Sequence, residues 1–131
     1  NDEMLRALGR DPLIIKQTRI DAIYGLTDLM EAAMVNSGAL KVPALILYGE
    51  HDEIIPPAAI CQMVNILPDR AVSNWRMVLY PDGYHMLTRD LQAAVVISDM
   101  MAWMRNRKDR LPSGHEITRD DSRLLALNEC D

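Results

Sequence analysis

Two short apolar runs without alternation organise this chain, Ala44-Leu45-Ile46-Leu47 and Met77-Val78-Leu79-Tyr80. Such runs fit strands buried on both faces, as in a parallel sheet covered by helices. Between them Pro56-Pro57 opens a helix, because proline suits a first turn. Ile60, Met63, Val64 and Leu67 form the inner face of that helix, and Pro68 stops it. Upstream, a short helical pattern within residues 1–19 breaks at Gly9-Arg10-Asp11-Pro12, since proline disfavours helix in the residue before it. A second helix follows, with Thr18 or Asp21 as its cap. Its apolar positions Ile23, Leu26, Met30 and Met34 step by three and four along one face. Asn36-Ser37-Gly38 ends it, with Gly38 as a left-handed cap.

After the second run, a long helix is predicted from about Thr88 to Arg107. Leu91, Val95, Val96, Met100, Trp103 and Met104 make it apolar on most sides, so it is expected to be heavily covered. From Lys108 onward the chain turns polar and mixed in charge, and reads as a solvated extension with one helical turn over 122–127. Strand, helix, strand is a crossover unit, right-handed in nearly all known cases, which makes the two strands parallel. The fold class is therefore α/β, with parallel strands and flanking helices in the order β-α-β-α.

Composition narrows the function. Of 131 residues nearly half are hydrophobic, so one small domain can bury a core. Phe is absent and nine methionines are present, so methionine takes over the filling of irregular space. A net charge of −5 with no basic stripe excludes nucleic acid as an expected partner. No apolar run is long enough to span a membrane, so no transmembrane segment is expected. Cys61 and Cys130 make no disulfide framework. Cys61 reads as a small buried hydrophobe and Cys130 as a free terminal residue, both suited to a reducing, cytoplasmic compartment.

The chemistry sits in the loops after the two strands. Asp52 lies in Gly49-Glu50-His51-Asp52-Glu53-Ile54-Ile55-Pro56, and His85 in Pro81-Asp82-Gly83-Tyr84-His85-Met86-Leu87. In a parallel sheet, loops that follow strands leave from one edge, where ligand sites of open α/β sheets lie. Adjacent strands are roughly 5 Å apart, so the edge delivers both loops together. A buried carboxylate there accepts from one imidazole nitrogen and leaves the other facing a nucleophile. Pro81-Asp82-Gly83 reads as a tight turn, with proline fixing one torsion and glycine allowing a positive one. Gly49 lets the chain swing toward Asp52.

Together, the segment Val42 to Pro56 and the segment Gly83-Tyr84-His85-Met86-Leu87 resemble the acid and histidine segments of the α/β-hydrolase superfamily. The histidine segment looks like that of its monoacylglycerol lipase and lysophospholipase-like branch, of serine aminopeptidase S33 type, and the resemblance covers about residues 11 to 107. The resemblance implies that Asp52 is the triad acid and His85 the general base. It implies no cofactor and no metal. It implies a small-molecule ester or lipid substrate for the parent protein.

The family's nucleophile stands on a G-x-S-x-G elbow. None of Ser37, Ser73, Ser98, Ser113 or Ser122 has that context. Asn1 to Leu8 read as the interior of a longer chain. The expectation is thus the C-terminal part of an α/β-hydrolase fold with its nucleophile half missing. Residues 1–36 would be the end of a lid region and the helix returning to the core. Residues 37–107 would be the core segment carrying acid and base, and 108–131 a polar tail. The isolated chain is expected to be inactive for lack of a serine and an oxyanion hole.

The alternative is a catalytically dead, truncated interaction module. Two strands leave a sheet edge open, and open edges recruit partners, so self-association or pairing with the missing N-terminal half is expected. Asp82 reads as a turn residue and His51 as a solvated neighbour of Asp52. A metal held by His51, Asp52, Asp82 and His85 has the right ligand types but lacks a supporting spacing.

Overall fold

The computed structural model describes residues 2–69 and 74–126. Its elements run α1 (Asp2–Arg10), α2 (Ile20–Ser37), β1 (Ala44–Gly49), α3 (Pro57–Ile66), β2 (Trp75–Tyr80), a 3-10 turn (Leu87–Arg89), α4 (Ala93–Arg105), β3 (Glu116–Ile117) and α5 (Ser122–Leu125). Both apolar runs are strands, and they pair in parallel from Ala44 opposite Trp75 to Gly49 opposite Tyr80. The sheet is nevertheless mixed. β3 adds antiparallel to β2, with Met77 opposite Ile117 and Val78 opposite Glu116, in the order β1-β2-β3.

Strand β2 is therefore central, and its side chains alternate between two cores, as the pleat requires. Trp75, Met77 and Leu79 join Tyr48, Ile60, Cys61, Val64 and Leu67 on the α3 side. Val78 and Tyr80 join Val96 and Leu111 on the α4 side. This explains why the run has no polar position to show which face is wet: neither is.

Several expectations are corrected. The polar tail does not extend into solvent over residues 108–126. Leu111, Ile117 and Leu124 are buried, because three widely spaced apolar residues suffice to fold the segment back over β2. Arg76 fastens the return: its guanidinium donates to both carboxylate oxygens of Glu116, at 2.8 and 2.6 Å, and to the carbonyls of Arg107 and Asp109. The long helix starts later than expected, at Ala93, and only Val96 and Asp99 on it are buried. Leu91, Val95, Met101 and Met104 stay exposed, since α4 buries one side against the sheet and, among the described residues, no element covers the other.

Helix α2 carries the predicted face, but no residue of α1 or α2 is buried. Its N-cap is Arg19, in extended conformation and without a side-chain cap bond, so neither Thr18 nor Asp21 caps it. Instead Asp21 takes two bonds from the Arg19 guanidinium. Gly38 ends the helix with φ −66°, which is right-handed. Glycine is there for room: a Cβ would lie 3.0 Å from Ile66 Cγ2 and 3.2 Å from the Ile66 carbonyl oxygen.

Cys61 is buried in the α3 core but is disulfide-bonded, not a simple apolar thiol. Cys130 lies outside the described residues. The cysteine argument for a reducing compartment thereby loses its premise. Among the described residues, no helix is long and apolar enough to cross a membrane.

Candidate active site

The two strands deliver their loops to one rim, and the loops touch. The Glu50 amide donates to the Tyr80 carbonyl at 3.0 Å, extending the ladder one step past β1. The Gly83 amide donates to that same carbonyl at 3.1 Å, closing the turn after β2. The His51 amide donates to the Gly83 carbonyl at 2.9 Å. At this crossing the backbones are too close for side chains. A Cβ on Gly49 would lie 2.4 Å from the Gly83 carbonyl carbon and oxygen, and one on Gly83 would lie 2.9 Å from Gly49 Cα. Gly83 therefore serves close approach, not the positive torsion expected of it. Among the described glycines only Gly114 has positive φ, at 70°.

Beyond the crossing, Asp52 and His85 meet. His85 Nδ1 is 2.9 Å from Asp52 Oδ2 and 3.2 Å from Oδ1. Asp52 is buried, with 6% of its side chain exposed, while His85 keeps 40% of its side chain exposed. The amides of Ile54 and Ile55 both donate to Asp52 Oδ1, at 2.8 and 2.9 Å. Tyr48 steadies this turn by donating from its hydroxyl to the Ile55 carbonyl. Burial is the largest single influence on the Asp52 carboxyl and pushes its pKa up. The Ile55 amide, the His85 imidazole and the Ile54 amide together outweigh it, so the carboxyl titrates below its ordinary 3.8.

An ionised Asp52 only accepts, so Nδ1 of His85 is the donor and carries the proton. In the neutral ring Nε2 is then an acceptor. Among the described residues Nε2 has no hydrogen-bond partner. The arrangement is thus an imidazole with a fixed tautomer and a second nitrogen able to accept, on a side chain 40% exposed, with a counter-charge beside it. It can take a proton from a hydroxyl and return it to a leaving group.

The structure separates the other sequence candidates from this pair. His51 is exposed and stacks on Tyr84, with ring centroids 5.4 Å apart. Asp82 is exposed at the turn. Among the described residues no group of three or more His, Cys, Asp or Glu side chains is placed to hold a metal ion. The serines are scattered: Ser37 ends α2, Ser98 lies within α4, Ser113 follows Leu111 and Ser122 opens α5, while Ser73 lies outside the described residues.

Two carboxylates escaped sequence reasoning. Asp90 is buried and accepts from the amides of Tyr84, at 3.3 Å, and Leu91, at 2.7 Å, so it holds the residue before His85. Asp99 on α4 is 0% exposed and accepts from the Tyr80 hydroxyl at 2.8 Å and the Ser113 amide at 2.9 Å. Burial, and next the bond to Asp99, push the Tyr80 hydroxyl far above its ordinary pKa. The available signal for Asp99 is a lone carboxylate inside an apolar helical stretch.

No solved structure matches the chain. Among curated proteins it is similar to a monoacylglycerol lipase of Mycolicibacterium smegmatis, 24% identical over 110 residues. That match covers 75% of this chain and 38% of the lipase, so the chain spans well under half of that relative's length. The family model for serine aminopeptidase S33 matches residues 1–92, a stretch that includes both Asp52 and His85. With that match spanning most of its length, the chain belongs to the serine aminopeptidase S33 family of α/β-hydrolases.

Proposed function

We propose that this chain carries the acid and general base of a serine hydrolase of carboxylic esters, of the monoacylglycerol or lysophospholipid class, whose serine lies outside residues 1–131. The single observation behind this reading is the Asp52–His85 bond, formed by loops that leave one edge of a parallel strand pair. The ester class is taken from the similar lipase. In this reading the serine hydroxyl attacks the ester carbonyl as His85 Nε2 takes its proton. Asp52 stabilises the imidazolium. His85 then protonates the leaving alcohol, and water, deprotonated by the same nitrogen, releases the acid from the acyl-enzyme. Residues 1–36 are the end of a lid region and the returning helix, in keeping with the exposure of α1 and α2. Residues 37–107 are the core segment that bears the pair.

The second reading is an interaction module, by self-association or by pairing with further α/β-hydrolase elements. It is favoured by β1 being an edge strand beside an apolar groove lined by Ala44, Leu45, Leu47, Met100, Trp103 and Met104. Trp103 Nε1 is buried in that region without an acceptor among the described residues.

One experiment separates the readings. The coding sequence upstream of Asn1 is read for a G-x-S-x-G elbow, and the continuous product is assayed on p-nitrophenyl butyrate and a monoacylglycerol beside the 131-residue chain. Hydrolysis by the continuous product, reduced about 10³-fold or more by His85→Ala, and none by the chain alone, supports the first reading. Turnover by the 131-residue chain that survives a serine-reactive phosphonate overturns it. A stable complex without turnover favours the second.

A further inference from the structure

The carbonyl of Tyr80 is an acceptor shared by both loops of the candidate site. It takes the Glu50 amide from the acid loop and the Gly83 amide from the base loop. Tyr80 is the last residue of β2 and stands opposite Gly49, the last residue of β1, so both loops begin at this rung. The orientation of that carbonyl depends on how the residue is held. Its ring is buried and tethered through the hydroxyl to Asp99 Oδ2. Asp99 is fixed in turn on α4, and its other oxygen accepts from the Ser113 amide in the returning segment.

A fully buried carboxylate is costly unless every lone pair is used, and a Phe opposite an apolar residue would fill the same space without it. Packing alone therefore does not account for Tyr80 and Asp99. The bonds run in one line, from Asp99 through the Tyr80 hydroxyl to the rung from which the Asp52 and His85 loops both hang.

We propose that Asp99 is a positioning residue for the Asp52–His85 pair, acting through Tyr80. The inference rests on the acid–base reading of that pair, and adds that α4 and the returning segment set its geometry. Nothing about Asp99 touches the reacting atoms.

The test reads the pair directly, without turnover. In the full 131-residue chain labelled with ¹⁵N-histidine, imidazole nitrogen shifts at pH 8 report which ring nitrogen of His85 carries the proton. A carboxylate acceptor at Nδ1 keeps it there. The native chain is expected in the Nδ1–H form. Tyr80→Phe, which removes one oxygen, and Asp99→Asn should each lower the ratio of Nδ1–H to Nε2–H by about threefold or more, as part of the bond to Asp52 is lost. Val96→Ala, a buried neighbour on α4 outside the link, is the control for general loosening and should leave the ratio unchanged. If Asp99→Asn does not fold, Tyr80→Phe reads the same link. A native Nδ1–H form that neither Tyr80→Phe nor Asp99→Asn moves, or that Val96→Ala moves equally, overturns the inference alone. A native chain already in the Nε2–H form overturns the acid–base reading and this inference with it.

Discussion

At the residue scale, the candidate site depends on what is missing from two positions. Gly49 and Gly83 bring two backbones within a distance that no Cβ tolerates, and the loops that cross there carry Asp52 and His85. Gly49→Ala places a methyl 2.4 Å from the Gly83 carbonyl, where no flexible side-chain end can yield. The loops must separate, at a cost of about 2 kcal/mol or more in denaturant unfolding, with loss of the Asp52–His85 bond by imidazole NMR. The meeting of Asp52 and His85 was legible in the sequence, because each follows an apolar run at the position where a parallel sheet presents its loops. The role of the glycines was only half legible. A glycine in a Pro-Asp-Gly turn suggests a positive torsion as readily as a close approach, and only the partner backbone, thirty-odd positions away, decides between them. Of Asp99 only a lone carboxylate in an apolar helical stretch was legible, and its bonds were not, since its partners Tyr80 and Ser113 lie on other elements.

At the element scale, the returning segment matters more than its composition suggests. Polar residues dominate 108–126, and the apolar ones follow neither a helical nor a strand period. Yet Ile117 sits opposite Met77 on the central strand and is 1% exposed. Ile117→Ala should therefore cost about 3 kcal/mol of unfolding free energy, a typical value for a truncated core isoleucine. Met104→Ala on α4, where the side chain is 66% exposed, should change stability by less than about 0.5 kcal/mol. Equal losses at the two positions would contradict this assignment of the core. The contrast also shows where periodicity misled. The apolar residues of α4 promised cover on most sides, but an amphipathic pattern reports what a helix can bury, and only a neighbouring layer decides what it does bury. The two strands, read from unbroken apolar runs, needed no such outside knowledge, while their register, Ala44 opposite Trp75, came only with the structure.

At the scale of the whole molecule, the site ties stability to acidity. Asp52 titrates below its ordinary value in the folded chain, so its ionised form favours folding. That contribution is fully present above pH 3.8 and is lost as pH falls through the lower folded value. The native chain should thus lose stability on acidification below about pH 4 more steeply than Asp52→Asn, so the gap between their urea midpoints narrows in acid. A constant gap would mean that Asp52 is not held ionised by its amides and His85. The optical probe for such curves follows from the bare flank of the molecule. Ile20, Tyr24, Leu29 and Val35 on α2 are all more than half exposed in the native fold. A solvatochromic dye that brightens on greasy surfaces will find this helix before any unfolding begins, and its signal will start high. Emission from Trp75, shut in the interior, is the faithful witness of melting for this protein.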